Sequence, residues 1–245
     1  MSWLMPLRVV LFYFLLALSA ILWAPVALLI SPLLPFRWRF RVVIEWWTRW
    51  AIGLARYLVG IRYRISGLEN IPAQHGVVVA NHQSTWETFF LQQVFAPQTQ
   101  LLKRELLYVP FFGWALALMK PIAIDRGNAR DSLKQLSRIG GQRLSEGLWI
   151  LIFPEGTRKL PGSPIKFSRG GAALACANQV PLIPVAHNAG CFWPRHGWGK
   201  KPGTIDVMIG PAMYPLGTDP RAIVELNQRA EKWISEALSQ VKSSL

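Results

Sequence analysis

The chain has 245 residues, 51% of them hydrophobic, with 12 tryptophans, 19 glycines and 18 prolines, enough for one catalytic-size core plus an appendage. Its 27 Lys and Arg against 13 Asp and Glu leave a formal charge of +14, which suits an anionic membrane surface, an acidic carrier, a phosphorylated substrate or nucleic acid without choosing among them. Two cysteines, Cys176 and Cys191, exclude a disulfide framework and lack metal-ligand spacing; both are expected to be buried, inert thiols in a reducing compartment.

Residues 9–30 form an apolar run without a charge, about 33 Å long as a helix and so a match for a bilayer core of roughly 30 Å. Pro25 interrupts it. A cleaved signal peptide fits poorly, because the run continues past the small-residue stretch Ala17-Leu18-Ser19-Ala20. Further on, Arg37, Arg41, Glu45 and Arg49 recur every four residues, with Arg56 one heptad later. The remaining circumference carries Val42, Val43, Trp46, Trp47, Trp50, Leu54 and Leu58. This pattern predicts a helix lying in the headgroup layer, or an amphipathic helix packed on its own core. The first sixty residues thus read either as a spanning helix plus an interfacial one, or as a hairpin that enters one leaflet and returns. Pro25, Pro32 and Pro35 favour the hairpin. Basic residues follow the run, so the globular part is expected on the cytoplasmic face of a bacterial inner membrane.

From Ile61 the pattern changes to short β-branched runs separated by helical ones. Strands are predicted over 61–66, 76–80, 99–103, 121–126, 148–153, 181–186 and 204–210, and helices over 85–95, 109–119, 129–145, 169–178 and 220–241. Asp219 ahead of Pro220 marks the start of the last helix. The alternation argues an α/β fold, a mixed and largely parallel sheet flanked by helices, with an N-terminal membrane-associated helical segment. Residues 1–60 are read as the anchor and 61–245 as the catalytic domain. The apolar stretch 109–119 reads as plain core or as the wall of an acyl channel.

Three motifs end three strands. In NHQSTWE, His82 follows the strand directly and leaves its carboxyl end, where open α/β sheets place ligands. Ser84 and Glu87 have capping-box spacing, which alone would leave His82 an ordinary loop residue. If Glu87 occupies the first helical turn and His82 precedes it, the carboxylate meets the imidazole and both readings hold. In FPEGTR, residues Glu155, Gly156, Thr157 and Arg158 supply a tight turn, a hydroxyl and a planar guanidinium suited to phosphate, or merely a solvated surface turn. In PIAIDRGN, the strand ends on Asp125-Arg126, with Arg126 either a functional cation or paired with Asp125.

Together these blocks, in this order and with VPLIPVA after them, resemble the glycerolipid acyltransferase family, in particular the branch that acylates lysophosphatidic acid. The resemblance covers roughly residues 60–215. Glu87 stands where the family more often has Asp, and Lys159 where Ser is common. The resemblance implies transfer of a fatty acyl group from acyl-CoA or an acyl carrier protein thioester to the 2-hydroxyl of 1-acyl-sn-glycerol-3-phosphate. In that reading His82 is the base and Glu87 its orienting carboxylate, and the catalytic pair needs no cofactor and no metal. Arg126, Glu155, Gly156, Thr157 and Arg158 form the acceptor-binding set, with Glu155 better placed to orient the turn than to touch an anion. Membrane lipid is an expected partner and nucleic acid is not: no zinc-finger spacing or aromatic RNA-binding block is present. The rival readings are an acyltransferase for another lysolipid, such as a lyso-ornithine lipid or a lipid A precursor, and a non-catalytic protein that binds anionic lipid. The basic loop 193–203 is expected at the surface, either meeting an acidic acyl carrier or anionic lipid or merely solvated, and His75, His187 and His196 are expected to be structural.

Overall fold

The computed structural model describes residues 4–110, 112–124, 129–195 and 199–242. The chain opens with α1 (Met5–Ile30), which runs through Pro25, followed by a 3₁₀ turn at Ser31–Leu33. Among the described residues this is the one helix long and apolar enough to cross a membrane, 29 residues with that turn included. Most of its large side chains, Leu7, Phe14, Ile21, Leu22 and Leu29 among them, face outward.

A second helical arm returns through α2 (Phe36–Arg39), a π turn (Phe40–Glu45), α3 (Trp46–Leu54) and a second π turn (Ala55–Val59). The wide π turns absorb drift that a four-residue spacing would accumulate on an α-helix of 3.6 residues per turn, which helps hold the charged stripe together; within it Arg49 Nη2 lies 2.7 Å from Glu45 Oε1. The arm is antiparallel to α1. Trp47 Nε1 donates to Ser19 Oγ at 3.2 Å and Trp23 Nε1 to the Val43 carbonyl at 3.0 Å, so positions later in one helix meet positions earlier in the other. Gly60 ends the arm at φ +80, and a Cβ there would also press on Pro202 at 3.0 Å.

The sheet follows as β1 (Ile61–Ser66), β2 (Val77–Ala80), β3 (Gln98–Lys103), β4 (Ile122–Ile124), β5 (Trp149–Ile152), β6 (Leu182–His187) and β7 (Gly203–Ile209), in the order β1-β7-β6-β2-β5-β3-β4. All neighbours pair in parallel except β6 with β7. The helices between and after the strands are α4 (Trp86–Val94), α5 (Phe112–Ala117), α6 (Ala129–Ser145), α7 (Gly170–Asn178), α8 (Ala189–Phe192) and α9 (Pro220–Lys242). This is the mixed, largely parallel α/β architecture that the alternating pattern predicts.

The central strands are buried on both sides, as their unbroken apolar runs require. Val78, Ala80, Trp149 and Leu151 face one core, which includes α4, the end of the return arm, and Val9 and Phe12 of α1. Val77, Val79, Ile150 and Ile152 face the other, built with α6, α7 and α9. One helix differs from expectation. The helix read over 109–119 shortens to α5 (Phe112–Ala117), after a 3₁₀ turn (Arg104–Tyr108) that ends before the predicted start. Pro110 biases the residue before it away from helical geometry, and Val109 is extended at φ −69, ψ 118.

Candidate active site

β2 ends at Ala80, and the next residues build the site. Alternation along the strand puts His82 in step with Val78 and Ala80, on the face covered by α1 and α4. Phe153, just past β5, borders the same core, and its ring stacks on the imidazole at 4.1 Å between centroids and 17° between planes.

The turn into α4 brings Glu87 back to His82. Trp86 N–H donates to Ser84 Oγ at 3.0 Å, and Glu87 Oε1 accepts Ser84 N–H at 2.7 Å. This is the reciprocal capping pair, set one residue ahead of the helix boundary. The same Oε1 accepts Gln83 N–H at 3.0 Å and lies 2.9 Å from His82 Nδ1. Glu87 is fully buried while the His82 side chain keeps 15% exposure. Burial alone would raise the Glu87 pKa, but the neighbouring imidazoles and the N–H donors on Oε1 outweigh it and hold the carboxyl below its ordinary range. An ionised Glu87 fixes the proton of neutral His82 on Nδ1 and leaves the Nε2 lone pair for another group.

The FPEGTR turn is attached to the same residue. His82 N–H donates to Glu155 Oε1 at 2.9 Å, and Lys159 N–H donates to the His82 carbonyl at 2.7 Å. Glu155 therefore grips the backbone of the histidine. Burial pushes its pKa up, against the opposing His82 N–H bond and Lys159 charge. Gly156 adopts φ +69, and its N–H donates to Phe153 O at 3.0 Å, closing the turn. Thr157 is exposed and Arg158 half-buried. Arg158 Nε is buried without a hydrogen bond among the described residues, and its carbonyl accepts Arg195 Nη1 at 2.7 Å. The structure thus brings His82, Glu87 and Glu155 into direct contact, with residues 156–158 on the adjoining turn. Arg126 and Asp125 lie outside the described residues.

Two features of the site escape sequence reasoning, the place of Phe153 and the partner of His187, whose structural role is as expected. Phe153 reads as one more apolar strand residue, yet it flanks the imidazole. Asn81 and His187, 106 positions apart, form a buried clamp: Asn81 Nδ2 donates to His187 O at 2.9 Å, His187 N–H donates to Asn81 Oδ1 at 3.0 Å, and His187 Nε2 lies 2.8 Å from Asn81 O. A polar Asn directly after four buried strand residues was the available signal, since such a group must find partners.

The family model described as Acyltransferase matches residues 62–188. The chain is 57% identical over 241 residues to 1-acyl-sn-glycerol-3-phosphate acyltransferase of Pseudomonas aeruginosa, covering 98% of this chain and 94% of that protein. It is 36% identical over 177 residues to human 1-acyl-sn-glycerol-3-phosphate acyltransferase alpha, covering 71% of this chain and 62% of that protein. The solved 1-acyl-sn-glycerophosphate (LPA) acyltransferase PlsC from Thermotoga maritima shares the fold, with a TM-score of 0.78 at 24% identity over 96% of this chain and 95% of that one. With its His–carboxylate pair seated at the end of β2, and with that near-full-length identity, the chain belongs to the acyltransferase family and is an enzyme of that class.

Proposed function

We propose that the chain moves a fatty acyl group from a thioester, acyl-CoA or acyl carrier protein, to the 2-hydroxyl of 1-acyl-sn-glycerol-3-phosphate, yielding phosphatidic acid. The observation that carries this reading is the 2.9 Å contact between His82 Nδ1 and Glu87 Oε1, with the FPEGTR turn bonded to the same histidine. The names of the relatives give acyl transfer to the same acceptor.

In this mechanism the acceptor hydroxyl donates to His82 Nε2 and loses its proton as its oxygen attacks the thioester carbonyl. The C–O bond forms and the C–S bond breaks. The imidazolium, stabilised by Glu87, returns the proton to the departing thiolate. Arg158 and the Thr157 hydroxyl hold the acceptor phosphate, with Arg126 as a second cation. The buried Nε of Arg158, without a hydrogen bond among the described residues, suits an anionic acceptor. Gly156 acts through its φ, since its N–H already closes the turn, and Glu155 acts on the His82 backbone rather than on the phosphate.

Residues 1–60 serve as the membrane anchor and 61–245 as the catalytic part on the cytoplasmic face of an inner membrane. Both ends of α1 meet the rest of the protein: Phe12 packs edge-on against Trp193 at 5.0 Å, and at the other end Ala27 and Ile30 pack with Met119 and Leu118. The return arm carries four arginines of the charged stripe, which a bilayer centre would penalise. A hairpin in one leaflet satisfies both facts, and it lets the lipid acceptor reach His82 sideways.

The test is acyl transfer by the purified chain in vesicles, with labelled acyl-CoA and acyl carrier thioesters offered to 1-acylglycerol-3-phosphate, to its dephosphorylated counterpart and to a lyso-ornithine lipid. Phosphatidic acid should form and the acceptors without phosphate should react poorly. Equal rates on the dephosphorylated acceptor would remove the phosphate role of Arg158. Binding to anionic vesicles with no transfer to any acceptor would leave the non-catalytic reading.

A further inference from the structure

The loop 193–203, expected at the surface from its basic composition, hides one of its lysines. Lys200 is 3% exposed. Its Nζ is hydrogen-bonded to Tyr13 Oη of α1 and lies 3.9 Å from the Tyr13 ring centroid, 4.8 Å from that of Trp193 and 5.9 Å from that of Phe12. No carboxylate pairs with it among the described residues. Burial lowers its pKa from 10.5 to about 8, so at neutral pH a buried ammonium is held by ring faces and a phenol oxygen.

A methionine would fill the same space without removing a charge from water. What the ammonium adds is selectivity: it needs the Tyr13 hydroxyl and these rings at this one place. That matters for a helix in lipid. Acyl tails are as apolar as leucine, so the hydrophobic effect does not press α1 onto the protein inside a bilayer, and packing and polar contacts decide where it docks. The Trp47–Ser19 and Trp23–Val43 bonds tie α1 to its own return arm. The Lys200–Tyr13 bond ties it to the segment leading into β7, beside β6 and the His187–Asn81 clamp. On the other side, Trp47 packs edge-on against Phe89 at 5.2 Å, two residues beyond Glu87.

We propose that Lys200 is a positioning residue: by holding Tyr13, Phe12 and Trp193 together it locks α1 onto the catalytic part and sets the depth of His82 relative to the lipid that carries the acceptor. The proposal rests on the reading of the acceptor as a bilayer lipid.

The experiment compares wild type, Lys200→Met and Tyr13→Phe on two acceptors, a long-chain one in vesicles and a short-chain one dispersed in water. Lys200→Met should lower turnover of the vesicle acceptor by about 3-fold to 20-fold, the range of polar contacts in membranes, and leave the dispersed one within about twofold. Tyr13→Phe should shift the ratio the same way by less. Equal loss on both acceptors, or none on either, overturns the proposal. A second measurement is independent of turnover. Backbone hydrogen exchange across residues 9–16 in vesicles should quicken in Lys200→Met, and unchanged exchange overturns the docking role. Wild type inactive on both acceptors would count against the acyltransferase reading, while the exchange result still decides the role of Lys200.

Discussion

Two histidines stand at the carboxyl ends of neighbouring strands, and their partners differ in kind. His82, past β2, is hydrogen-bonded to a buried carboxylate and keeps some exposure; His187, ending β6, is fully buried and hydrogen-bonded to an amide and carbonyls, with the Glu87 charge nearby but not bonded to it. Its Nε2 donates to Asn81 O, and its Nδ1 accepts Ala189 N–H at 3.3 Å. Both nitrogens of His187 are used, and burial lowers its pKa, so it stays neutral and ties two strands together. Among the described residues only Nδ1 of His82 is committed, and Glu87 stands ready to stabilise a positive ring. One residue type is the proposed base in one place and a clamp in the other, because of what meets each nitrogen.

The sharpest way to break this contrast is His82→Ala. Turnover should fall by about 10²–10⁴-fold, the usual share of a positioned base, while acceptor affinity in a direct binding assay stays nearly unchanged. Retained turnover would remove His82 from the chemistry. Glu87→Gln keeps shape and acceptor oxygen but removes the charge. Steady-state kinetics should register a loss no deeper than that of His82→Ala, at most about 10⁴-fold, as when a catalytic base loses its orienting carboxylate to an amide. A loss below threefold would mean that Glu87 orients the ring without stabilising its charged form.

On the other side of the comparison, His187→Leu should leave Asn81 O without its donor. The cost is about 1–3 kcal/mol of stability, read as a lower thermal midpoint in detergent micelles, with kcat changed far less than in either variant above. A kcat loss as deep as that of His82→Ala would show that the clamp takes part in catalysis. Glu155 offers a finer distinction. Glu155→Gln keeps an acceptor for His82 N–H and should hold activity near wild type, while Glu155→Leu removes it and should lower kcat more than acceptor affinity.

Much of this was legible from local patterns. Runs such as GVVVA and LWILIF dictate strands buried on both faces, and the Ser84–Glu87 spacing places the carboxylate in the first helical turn, which is what brings it to His82. Contacts between distant segments were not legible. The Asn81–His187 clamp spans 106 positions, and nothing beside His187 marks it as different from a loop histidine. Phe153 looks like core until its strand neighbour is known. Gly156 reads as a position that lets the backbone approach an acceptor phosphate closely, and its N–H is bound within its own turn. Lys200 sits in a run of basic and glycine residues that reads as solvated, and only the return of α1 buries it. The shortening of the helix read over 109–119 is different, since Pro110 announced it and the apolar composition concealed it.

The smallest effect tests the neutrality of His187 directly. Its folded pKa lies below the ordinary value of 6.5, so between that folded value and 6.5 the unfolded chain binds more protons than the folded one. Stability then rises with pH in this window and is lost as pH falls from 6.5, by at most about 1.4 kcal/mol per pH unit for one group. Glu87 and Glu155 add their own slopes at lower pH, so the wild type alone cannot isolate this contribution. His187→Gln can, because an amide fills much of the same space, bonds to the same groups and does not titrate. Between pH 7 and 5.5 the thermal midpoint of wild type should fall more than that of His187→Gln. Parallel curves would mean that His187 takes up a proton inside the fold, and the contrast with His82 would then rest on geometry alone.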